Sequence, residues 1–574
     1  MGERPTTALS GLLALAGRRV VHSAVEGAAA LWQRQLAGTP SRILFAPETL
    51  HVCDPEKAAD IYAGVFELAG TTVDAAGDSP FAVPPPSPEW ARELHSFDWL
   101  VHLEANATAL SSTNARALIE EWLAAKSANG AMAQSPAVVA DRLTAWLVQS
   151  PLLLEGASAP FRLLFMRAIG KHIRRLERVS GRLPHSVEKA KVLATLALAG
   201  TVIAEQSRLQ RWALAVLGDT LAHQVLADGG HASRSPGTLL ALAAPLVVLR
   251  DAIERRQQPI PPAIGGTIDK VLPMLRFFCN GVGPPAAFHG TGALSAADVA
   301  AVTAFDDTNG TASDNARYSG YQRIQAGSTV VLMDTGKAPP PEFATAACAS
   351  ALAFELSHDG ARIIGSCGAL GDAQPDWAPA ARATAAQSTL TLADKSSARV
   401  LNLWPLTAVL GLALYRGPRE VTVTRDGQRE REGQTVRAAH DGYRDEFGVV
   451  HERTLTLSPD GLWLDGTDRI MGEGKLAAAP FAVRFHLAPG LKIRLDKARR
   501  NAMLRLADGA IWLFAVDEGP PLELEESVML VHPKTIRRTA QIVINCNTLT
   551  DDTVRWHIAR HASPLGDVPR LESP

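Results

Sequence analysis

The sequence predicts a multidomain α + β protein in which a helical half precedes a large antiparallel β half. From about residue 90 to about residue 280, apolar residues recur at helical spacing, and breakers such as Ser150-Pro151 and Gly229-Gly230 separate the segments. Beyond about residue 300, the pattern changes to short β-branched runs divided by Asp-Gly dipeptides, which are the strongest short-range signal for a hairpin turn.

The helical half is predicted one segment at a time. In residues 115–126, Leu118, Trp122 and Leu123 fall on one stripe of a helix, whereas Glu120 lies off it. The same spacing recurs at 137–150, 160–178, 186–202, 206–227, 237–256 and 266–278. Helices of this length with short links pack as bundles or as rings of helical hairpins.

The β half is predicted from strand-like runs such as 328–334, 361–364, 420–424 and 454–458. Hairpin turns are predicted at Asp359-Gly360, Asp426-Gly427, Asp460-Gly461 and Asp508-Gly509. Many short strands without intervening helices predict an antiparallel sandwich.

Changes in composition divide the chain into three predicted domains. The Pro-rich stretch 79–89 detaches a mixed N-terminal segment at 1–85. The Gly-rich stretch 280–300 then separates a helical domain at 86–295 from a β domain at 296–574.

The overall composition excludes several classes of protein. Hydrophobic residues make up 47% of the chain, which rules out wholesale disorder. The 57 Lys and Arg residues against 59 Asp and Glu residues give a net charge of −2, so we expect no nucleic-acid partner. The 5 cysteines form no Cys-x-x-Cys pair, which argues against a zinc ribbon or a disulfide scaffold.

Neither a membrane span nor a signal peptide is predicted. No segment approaches the roughly 20 uninterrupted apolar residues that a span requires. The apolar run Leu9–Gly17 follows Glu3 and precedes Arg18-Arg19, the reverse of a signal peptide, so we expect a globular helix there. A cytoplasmic location is the expectation, with a periplasmic one left open.

Common catalytic motifs are missing from the sequence. There is no phosphate loop, no Gly-x-Gly-x-x-Gly, no His-Glu-x-x-His and no Gly-x-Ser-x-Gly. Candidate site residues must therefore come from polar clusters at turns.

One such cluster is residues 314–324, where Arg317, Tyr318, Tyr321 and Arg323 could form a polar lip that meets a ligand. The alternative is an ordinary strand with aromatic residues at its rim. In the helical half, His231 and Arg234 could lie at the mouth of a site; otherwise they belong to a helix–helix connection capped by Ser235.

The other cluster is residues 439–453, which contain His440, Tyr443, His451 and Arg453. His440 and Tyr443 flank an Asp-Gly pair and could converge at a loop tip as an acid and a base. The alternative is a solvated loop.

Together these segments resemble the heparinase II/III family of polysaccharide lyases. The resemblance rests on the order of Asn315–Tyr321, Leu352–Ser357, Arg382–Leu390, His440–Tyr443 and Val450–Arg453 in the β half, and on Phe97–Leu100, Gln224–His231 and Pro273–Phe278 in the helical half. It implies an incomplete (α/α) toroid joined to an antiparallel β-sandwich, with a carbohydrate groove between them.

The resemblance also implies a chemistry, the β-elimination of an acidic, uronate-containing polysaccharide. A base removes the C5 proton while cationic or amide groups offset the carboxylate charge. We expect Tyr443 and His440 to transfer protons and Arg382 or Gln387 to neutralise the carboxylate. Substrate contacts would come from the following residues: Arg317, Tyr318, Tyr321, His231, Arg234, Gln387 and Arg453.

The chain departs from the family pattern at several positions. Cys348 stands near an expected His, Gln387 stands at the position of another expected His, and Gly237 and Thr238 occupy the positions where the resemblance implies a Tyr. No cofactor is predicted, since a divalent metal in the β domain, although implied by the resemblance, lacks evident His ligands.

Two functions besides the lyase stay open. The chain could bind glycan, or assist the handling of exopolysaccharide or capsule, without turnover. It could also be a glycoside hydrolase on a helical toroid, but neither Glu120-Glu121 nor Asp306-Asp307 is placed as a facing pair by the sequence. The polysaccharide and the oligomeric state are not predicted.

Overall fold

The computed structural model describes residue 17 and residues 40–561, except for 107–108, 280–282, 293, 307–312, 370–376, 402–406, 408–412, 427–432, 473–477 and 533–534. The apolar run predicted as a helix at Leu9–Gly17 lies outside the described residues apart from Gly17.

Helices make up most of the chain between residues 55 and 303, as the periodicity predicts. They span Pro55–Tyr62, Pro88–Ser96, Ala109–Ala124, Pro136–Val148, Ser150–Leu154, Ala159–Ser180, Val187–Val202, Ser207–Ala222, Pro236–Arg255, Pro262–Phe278 and Ala296–Thr303, with 3₁₀ turns at Asp98–Asn106 and Lys126–Asn129. A small hairpin, β1 (Val65–Leu68) and β2 (Thr71–Asp74), follows the first of them.

Helix Val187–Val202 is the centre of the helical half. It is buried almost all round and packs against Pro136–Val148, Ser207–Ala222 and Pro236–Arg255. The Ser186 side chain caps its first turn by accepting the amide hydrogen of Lys189 at 3.2 Å.

Helix Pro236–Arg255 is the one described helix that is long and apolar enough to cross a membrane. However, 61% of its most apolar 18-residue stretch is buried inside the protein. Its Leu239, Leu242 and Leu246 belong to the helical core. The apolar composition of this helix is therefore explained by its position in the core.

The β half consists of two antiparallel sheets. Sheet I has the order β19-β20-β15-β7-β6-β5-β4-β3, with β8 also paired to β15, and sheet II has the order β11-β12-β13-β14-β21-β18-β17-β16. The strands are β3 (Asn315–Ala316), β4 (Tyr321–Ala326), β5 (Thr329–Asp334), β6 (Phe354–His358), β7 (Ala361–Gly365), β8 (Leu390–Leu392), β9 (Arg399–Val400), β10 (Leu414–Tyr415), β11 (Val421–Asp426), β12 (Gln434–His440), β13 (Val449–Leu457), β14 (Trp463–Gly472), β15 (Pro480–Leu487), β16 (Lys492–Leu495), β17 (Asn501–Arg505), β18 (Ile511–Glu518), β19 (Leu522–His532), β20 (Thr535–Asn547) and β21 (Thr553–Arg560). Strands β9 and β10 pair separately.

Strand β5 shows how the layers stack. Its side chains alternate, so that Val330 and Leu332 join the core shared with the helices, whereas Val331 and Met333 join the core between the two sheets. Sheet I is therefore covered on both faces at this strand, by the helical half on one side and by sheet II on the other. The predicted fold class is confirmed.

Three of the four predicted Asp-Gly turns can be located. Asp359-Gly360 joins β6 to β7, Asp460-Gly461 joins β13 to β14, and Asp508-Gly509 joins β17 to β18. The fourth extends into residues outside the described part of the chain. Helix Ala296–Thr303 packs on Pro236–Arg255 and Pro262–Phe278, so the helical part continues past residue 295.

Two of these turn glycines form a matched pair for a stability test. Gly461 (φ +74°) and Gly509 (φ +91°) both adopt the left-handed conformation, but a Cβ on Gly461 would lie 2.1 Å from the Ala326 carbonyl oxygen, whereas one on Gly509 would meet nothing within 4 Å. We expect Gly509→Ala to cost about 1–2 kcal/mol from backbone strain alone. Gly461→Ala should cost on the order of 1–3 kcal/mol more, because the two sheets must separate locally. Urea unfolding of both variants measures the difference, and equal losses would contradict the packing of this turn against sheet I.

Candidate functional site

The two halves meet where loop 226–235 contacts residues 318–337, and we call this contact the seam. Asp228, in loop 226–235, binds the residues that precede β4. Its carboxylate accepts the amide hydrogens of Tyr318 at 2.8 Å and Ser319 at 2.7 Å, and the Ser319 hydroxyl at 2.8 Å. The turn before β4 is thereby held against the helical half.

Arg234 is the central side chain of the seam. Its guanidinium donates to the carbonyl oxygens of Ser319 at 2.7 Å, Lys337 at 2.8 Å and Gly320 at 3.0 Å, and it forms an ion pair with Asp334 at the end of β5. Both charged side chains are buried. Every hydrogen bond of this guanidinium crosses from the helical half to the β half.

The Asp334 carboxylate is equally well satisfied. It accepts the Ser350 hydroxyl at 2.7 Å, the Gly336 amide hydrogen at 3.1 Å and His289 Nε2–H at 3.0 Å. Burial alone would raise the pKa of this carboxyl group, but Arg234 and His289 hold that pKa well below its usual range. The ion pair therefore stays charged at neutral pH.

His289 is neutral in this arrangement. Its Nδ1 accepts the amide hydrogen of Cys348 at 3.2 Å, so Nε2 carries the proton that is donated to Asp334. Burial, reinforced by the charge of Arg234, lowers the pKa of His289. The cluster thus contains one cation, one anion and a neutral imidazole that holds the anion in place.

Tyr321 is part of the same cluster. Its hydroxyl donates to the backbone carbonyl of Arg234 at 2.6 Å, and the Arg234 guanidinium lies 4.8 Å from the centre of its ring. Burial raises the pKa of Tyr321 well above its usual value, despite the nearby cation. Its hydroxyl acts as a structural donor to the seam.

No open groove separates these residues. The cavity lined by Arg234, His289, Asp334, Cys348 and Ser350 has a volume of about 10 Å³, which is room for about one water molecule. Arg234 and Tyr321, both expected to contact substrate in a groove between the halves, are instead in contact with each other, with the guanidinium 4.8 Å from the centre of the ring.

His231 is buried inside loop 226–235, which is the helix–helix connection capped by Ser235 that stood as the alternative to a mouth. Its Nδ1 accepts the amide hydrogen of Ser233 at 3.0 Å, and its Nε2 donates to the Gln224 side-chain oxygen at 3.1 Å. Burial lowers the pKa of His231 to about 4. This imidazole shapes the loop from which Arg234 projects.

The rings of His440 and Tyr443 do converge, with centroids 5.6 Å apart, but they are buried and not at a solvent-facing loop tip. The Tyr443 hydroxyl donates to the carbonyl oxygens of Leu390 at 3.0 Å and Lys395 at 3.3 Å. Burial raises the pKa of Tyr443 well above its usual value. The loop-tip placement is thus wrong, because the ring fills the core between the two sheets.

A chain of polar groups continues from His440. Because His440 Nδ1 accepts the Gly442 amide hydrogen at 3.0 Å, its Nε2–H points to His451 Nδ1 at 3.3 Å, and His451 Nε2–H donates to Asp468 at 2.8 Å. Arg453 pairs with both oxygens of the same carboxylate, at 2.8 Å and 3.0 Å. Burial lowers the pKa of both imidazoles, which are therefore neutral.

The remaining candidates divide into buried and exposed groups. Arg382 is buried and donates to the carbonyl oxygens of Ala347 at 2.7 Å and Ala344 at 3.1 Å. Gln387 is buried and donates to Ala381 at 3.0 Å, while its side-chain oxygen has no partner among the described residues. In contrast, Arg317 is exposed and Tyr318 is 64% exposed beside the seam.

The residues around Cys348 do not fit a metal ion. Burial raises the pKa of the Cys348 thiol to about 11, so the thiolate that binds a metal is disfavoured. Both ring nitrogens of the neighbouring His289 are already hydrogen-bonded, Nε2 to Asp334 and Nδ1 to the Cys348 amide. No metal-binding group of three side chains is found there among the described residues.

Of the acidic residues considered for a hydrolase, those that the structure describes do not face one another across a cleft. Glu120 and Glu121 are exposed on helix Ala109–Ala124. Asp306 pairs with Arg276 at 2.7 Å, and Asp307 lies outside the described residues.

Sequence reasoning missed a larger cavity at the edge of sheet I. We call it the Trp377 cavity; it has a volume of about 680 Å³, and its lining includes Trp377, Ala385, His486, Glu526, Arg538 and Gln541. Trp377 is 42% exposed, so part of its ring is available to a ligand. A lone tryptophan in an Ala-rich segment was the available signal, but the strands that complete the cavity follow more than 100 residues later.

Comparisons with known proteins agree with this architecture. Residues 308–557 match the family described as Heparinase II/III-like, C-terminal. Over 543 residues, 91% of each chain, the protein is 30% identical to "FtsZ-localized protein C" of Caulobacter vibrioides (strain NA1000 / CB15N).

Solved structures share the fold. A crystal structure of heparinase III superposes with a TM-score of 0.66 at 14% identity, covering 94% of this chain and 89% of that one. A heparan sulfate lyase HepC mutant from Pedobacter heparinus superposes with a TM-score of 0.58 at 15% identity, covering 96% and 90%. The common fold thus extends over both halves.

Substitution of Asp334 tests how much the buried ion pair of the seam contributes to stability. Asp334→Asn leaves Arg234 buried without a counter-charge, which should cost about 3–5 kcal/mol of unfolding free energy. Glu446→Gln, in the exposed Arg399–Glu446 pair, should cost less than about 1 kcal/mol. Chemical unfolding at neutral pH measures both.

The pH dependence gives the same test a second readout. Because folding depresses the pKa of Asp334, its stabilisation is complete above the unfolded-state pKa of about 3.9 and declines as the pH falls below it. The advantage of the native chain over Asp334→Asn should therefore shrink in acid. A difference that stays constant down to about pH 3 would show that the charge of Asp334 contributes little.

Proposed function

This chain belongs to the heparinase II/III-like family, and from that premise we propose that it binds an acidic polysaccharide without cleaving it. The observation that carries the proposal is the closed seam, where the polar groups of Arg234, Asp334 and Tyr321 are engaged with one another. The handling of exopolysaccharide or capsule without turnover is the corresponding role.

The chemistry of β-elimination explains why a closed seam argues against turnover. A base must reach the C5 proton of the uronate, and a cation must face its carboxylate. The hydroxyls of Tyr321 and Tyr443 both donate to backbone carbonyls and are buried. Each would have to lose that bond and ionise in an apolar environment, which is the cost that raises its pKa.

Two of the candidate cationic groups are likewise engaged in contacts within the protein. Arg234 pairs with Asp334, and Arg453 pairs with Asp468. A substrate carboxylate would have to displace a buried aspartate in order to reach either guanidinium.

The Trp377 cavity supports the binding part of the proposal. Its volume of about 680 Å³ suits a small part of a glycan chain, and its polar and apolar lining is typical of ligand sites. The Trp377 ring offers a face for a sugar, whereas Arg538, which is exposed, offers a positive charge to a uronate carboxylate.

A lyase remains the second candidate because of one specific observation. Tyr318 and Arg317 are neighbouring, exposed side chains next to the seam, so a base and a cation are still accessible there. The likeness to heparinase III and to a heparan sulfate lyase concerns the fold alone at 14% and 15% identity.

A panel of uronate polysaccharides separates the two candidates. We expect saturable binding by calorimetry and no rise in the ultraviolet absorbance of an unsaturated product. Trp377→Ala should weaken binding by about fivefold, since one aromatic contact is worth on the order of 1 kcal/mol. Trp463→Ala is the matched control, because Trp463 is 41% exposed but lies on sheet II.

Formation of an unsaturated product by the native chain would overturn the proposal in favour of a lyase. In that case Tyr318→Phe and Tyr443→Phe decide between the exposed and the buried tyrosine, because loss of a general base costs about 10²–10⁴-fold in rate.

We also propose that the protein localises with FtsZ in the cell. The support is the relative named "FtsZ-localized protein C", which is 30% identical over 91% of both chains. A fluorescent fusion of the full chain should form bands that coincide with FtsZ, and the purified chain should sediment with FtsZ polymers. A diffuse signal together with absence from the polymer pellet would contradict this role.

A further inference from the structure

Three side chains of types that bind metal ions come together on the helical half, apart from the polar cluster of the seam. They are His185, in the link before helix Val187–Val202, and Asp219 and His223, at the end of helix Ser207–Ala222. One ligating atom from each lies within 4.8 Å of those of the other two.

The local structure explains why Asp219 and His223 converge. They are four residues apart, so they lie on the same face at the end of the helix. His223 Nδ1 lies 2.8 Å from the backbone carbonyl of Asp219, and because a carbonyl can only accept, Nδ1 carries the hydrogen. The lone pair of the imidazole is therefore on Nε2, in the tautomer that metal-binding histidines adopt when a carbonyl orients them.

The third side chain, that of His185, comes from another segment. The imidazole of His185 stacks on that of His223, with ring centroids 4.2 Å apart and planes at 18°. The residues next to the two histidines are joined directly, since Gln224 donates to the carbonyl oxygen of Ser186 at 3.1 Å. The backbone is thus fixed on both sides of the cluster, and only side-chain rotation is needed to bring the ligands together.

We infer that His185, Asp219 and His223 bind a divalent transition-metal ion, of which Zn²⁺ is the best match. Two imidazoles and one carboxylate are a donor set that Zn²⁺ accepts with a water molecule in the fourth position, whereas Ca²⁺ and Mg²⁺ require mainly oxygen ligands. The side chains of Asp219 and His223 are 66% and 52% exposed, which leaves an entry path and room for that water.

The ion would fasten the link before one helix to the end of another. Gln224, adjacent to His223, also receives the His231 Nε2–H bond and the Ala232 amide hydrogen at 2.7 Å. The metal site therefore lies at the base of the loop that carries Arg234 to the seam, and a bound ion stabilises that base.

Zinc titration of the full chain after treatment with a chelator tests the inference. We expect one equivalent of Zn²⁺ to bind with a Kd in the micromolar range or below, and the melting temperature to rise with the logarithm of the free Zn²⁺ concentration once that concentration exceeds the Kd. Co²⁺ at the same site should give the intense visible absorption bands of a tetrahedral ion.

Variants at the three ligands connect binding to these residues. His185→Ala and His223→Ala should each weaken Zn²⁺ binding by at least 100-fold, and Asp219→Asn by at least tenfold. His557→Ala is the matched control, since His557 also faces an aspartate, Asp517 at 2.9 Å, and stacks on an aromatic ring, Trp463 at 4.2 Å. It should bind Zn²⁺ as the native chain does.

Two results would overturn the site. One is the absence of saturable binding by the native chain up to about 100 μM free Zn²⁺, a concentration far above the Kd expected of a three-ligand site. The other is binding that persists in His185→Ala and His223→Ala, with the fold of both variants verified by circular dichroism, because the ion would then occupy other residues.

Discussion

The buried ion pair between Arg234 and Asp334 is the interaction on which the arrangement of the two halves depends. Removing two charges from water costs several kcal/mol per ion, and the cost is offset only when the remaining donors and acceptors are also satisfied. Here the guanidinium bonds to three carbonyl oxygens, and the carboxylate accepts from Ser350, His289 and Gly336. Sliding one half over the other would break most of these bonds together.

This use of charge conflicts with the chemistry expected from the family. A lyase needs a cation that is free to meet a uronate carboxylate, but Arg234 already faces a carboxylate of its own chain. The same conflict recurs in the sandwich, where Arg453 pairs with Asp468 and the two neutral histidines complete the network. Polar residues at positions that suggested catalysis thus take part in the contacts that hold the halves and the two sheets together.

The sequence was sufficient for the fold because helix and hairpin signals are local. The burial of the candidate site residues was harder to predict, although the sequence contains one signal for it. In β13, every second residue lies on a single, buried face: Val449, His451, Arg453, Leu455 and Leu457. A period of two that includes two charged or ionisable residues predicts that they point inwards with the apolar ones. The Trp377 cavity had no comparable signal, since strands distant in sequence complete it.

The segment around Cys348 shows how the two buried ion pairs are coupled. Ser350 donates to the Asp334 carboxylate, the Leu352 amide donates to the Asp334 carbonyl at 2.8 Å, and the Leu352 carbonyl accepts from Arg453 at 2.9 Å. A segment of three residues thus connects the seam to the network inside the sandwich. Cys348, two residues before this link, is buried and protonated, and its amide donates to His289 at 3.2 Å. The amide of the next residue, Ala349, donates to the carbonyl oxygen of Arg382 at 2.9 Å, so the backbone is bonded on both sides as far as Cys348. Residues 348–352 are therefore suited to a structural role in joining the two networks.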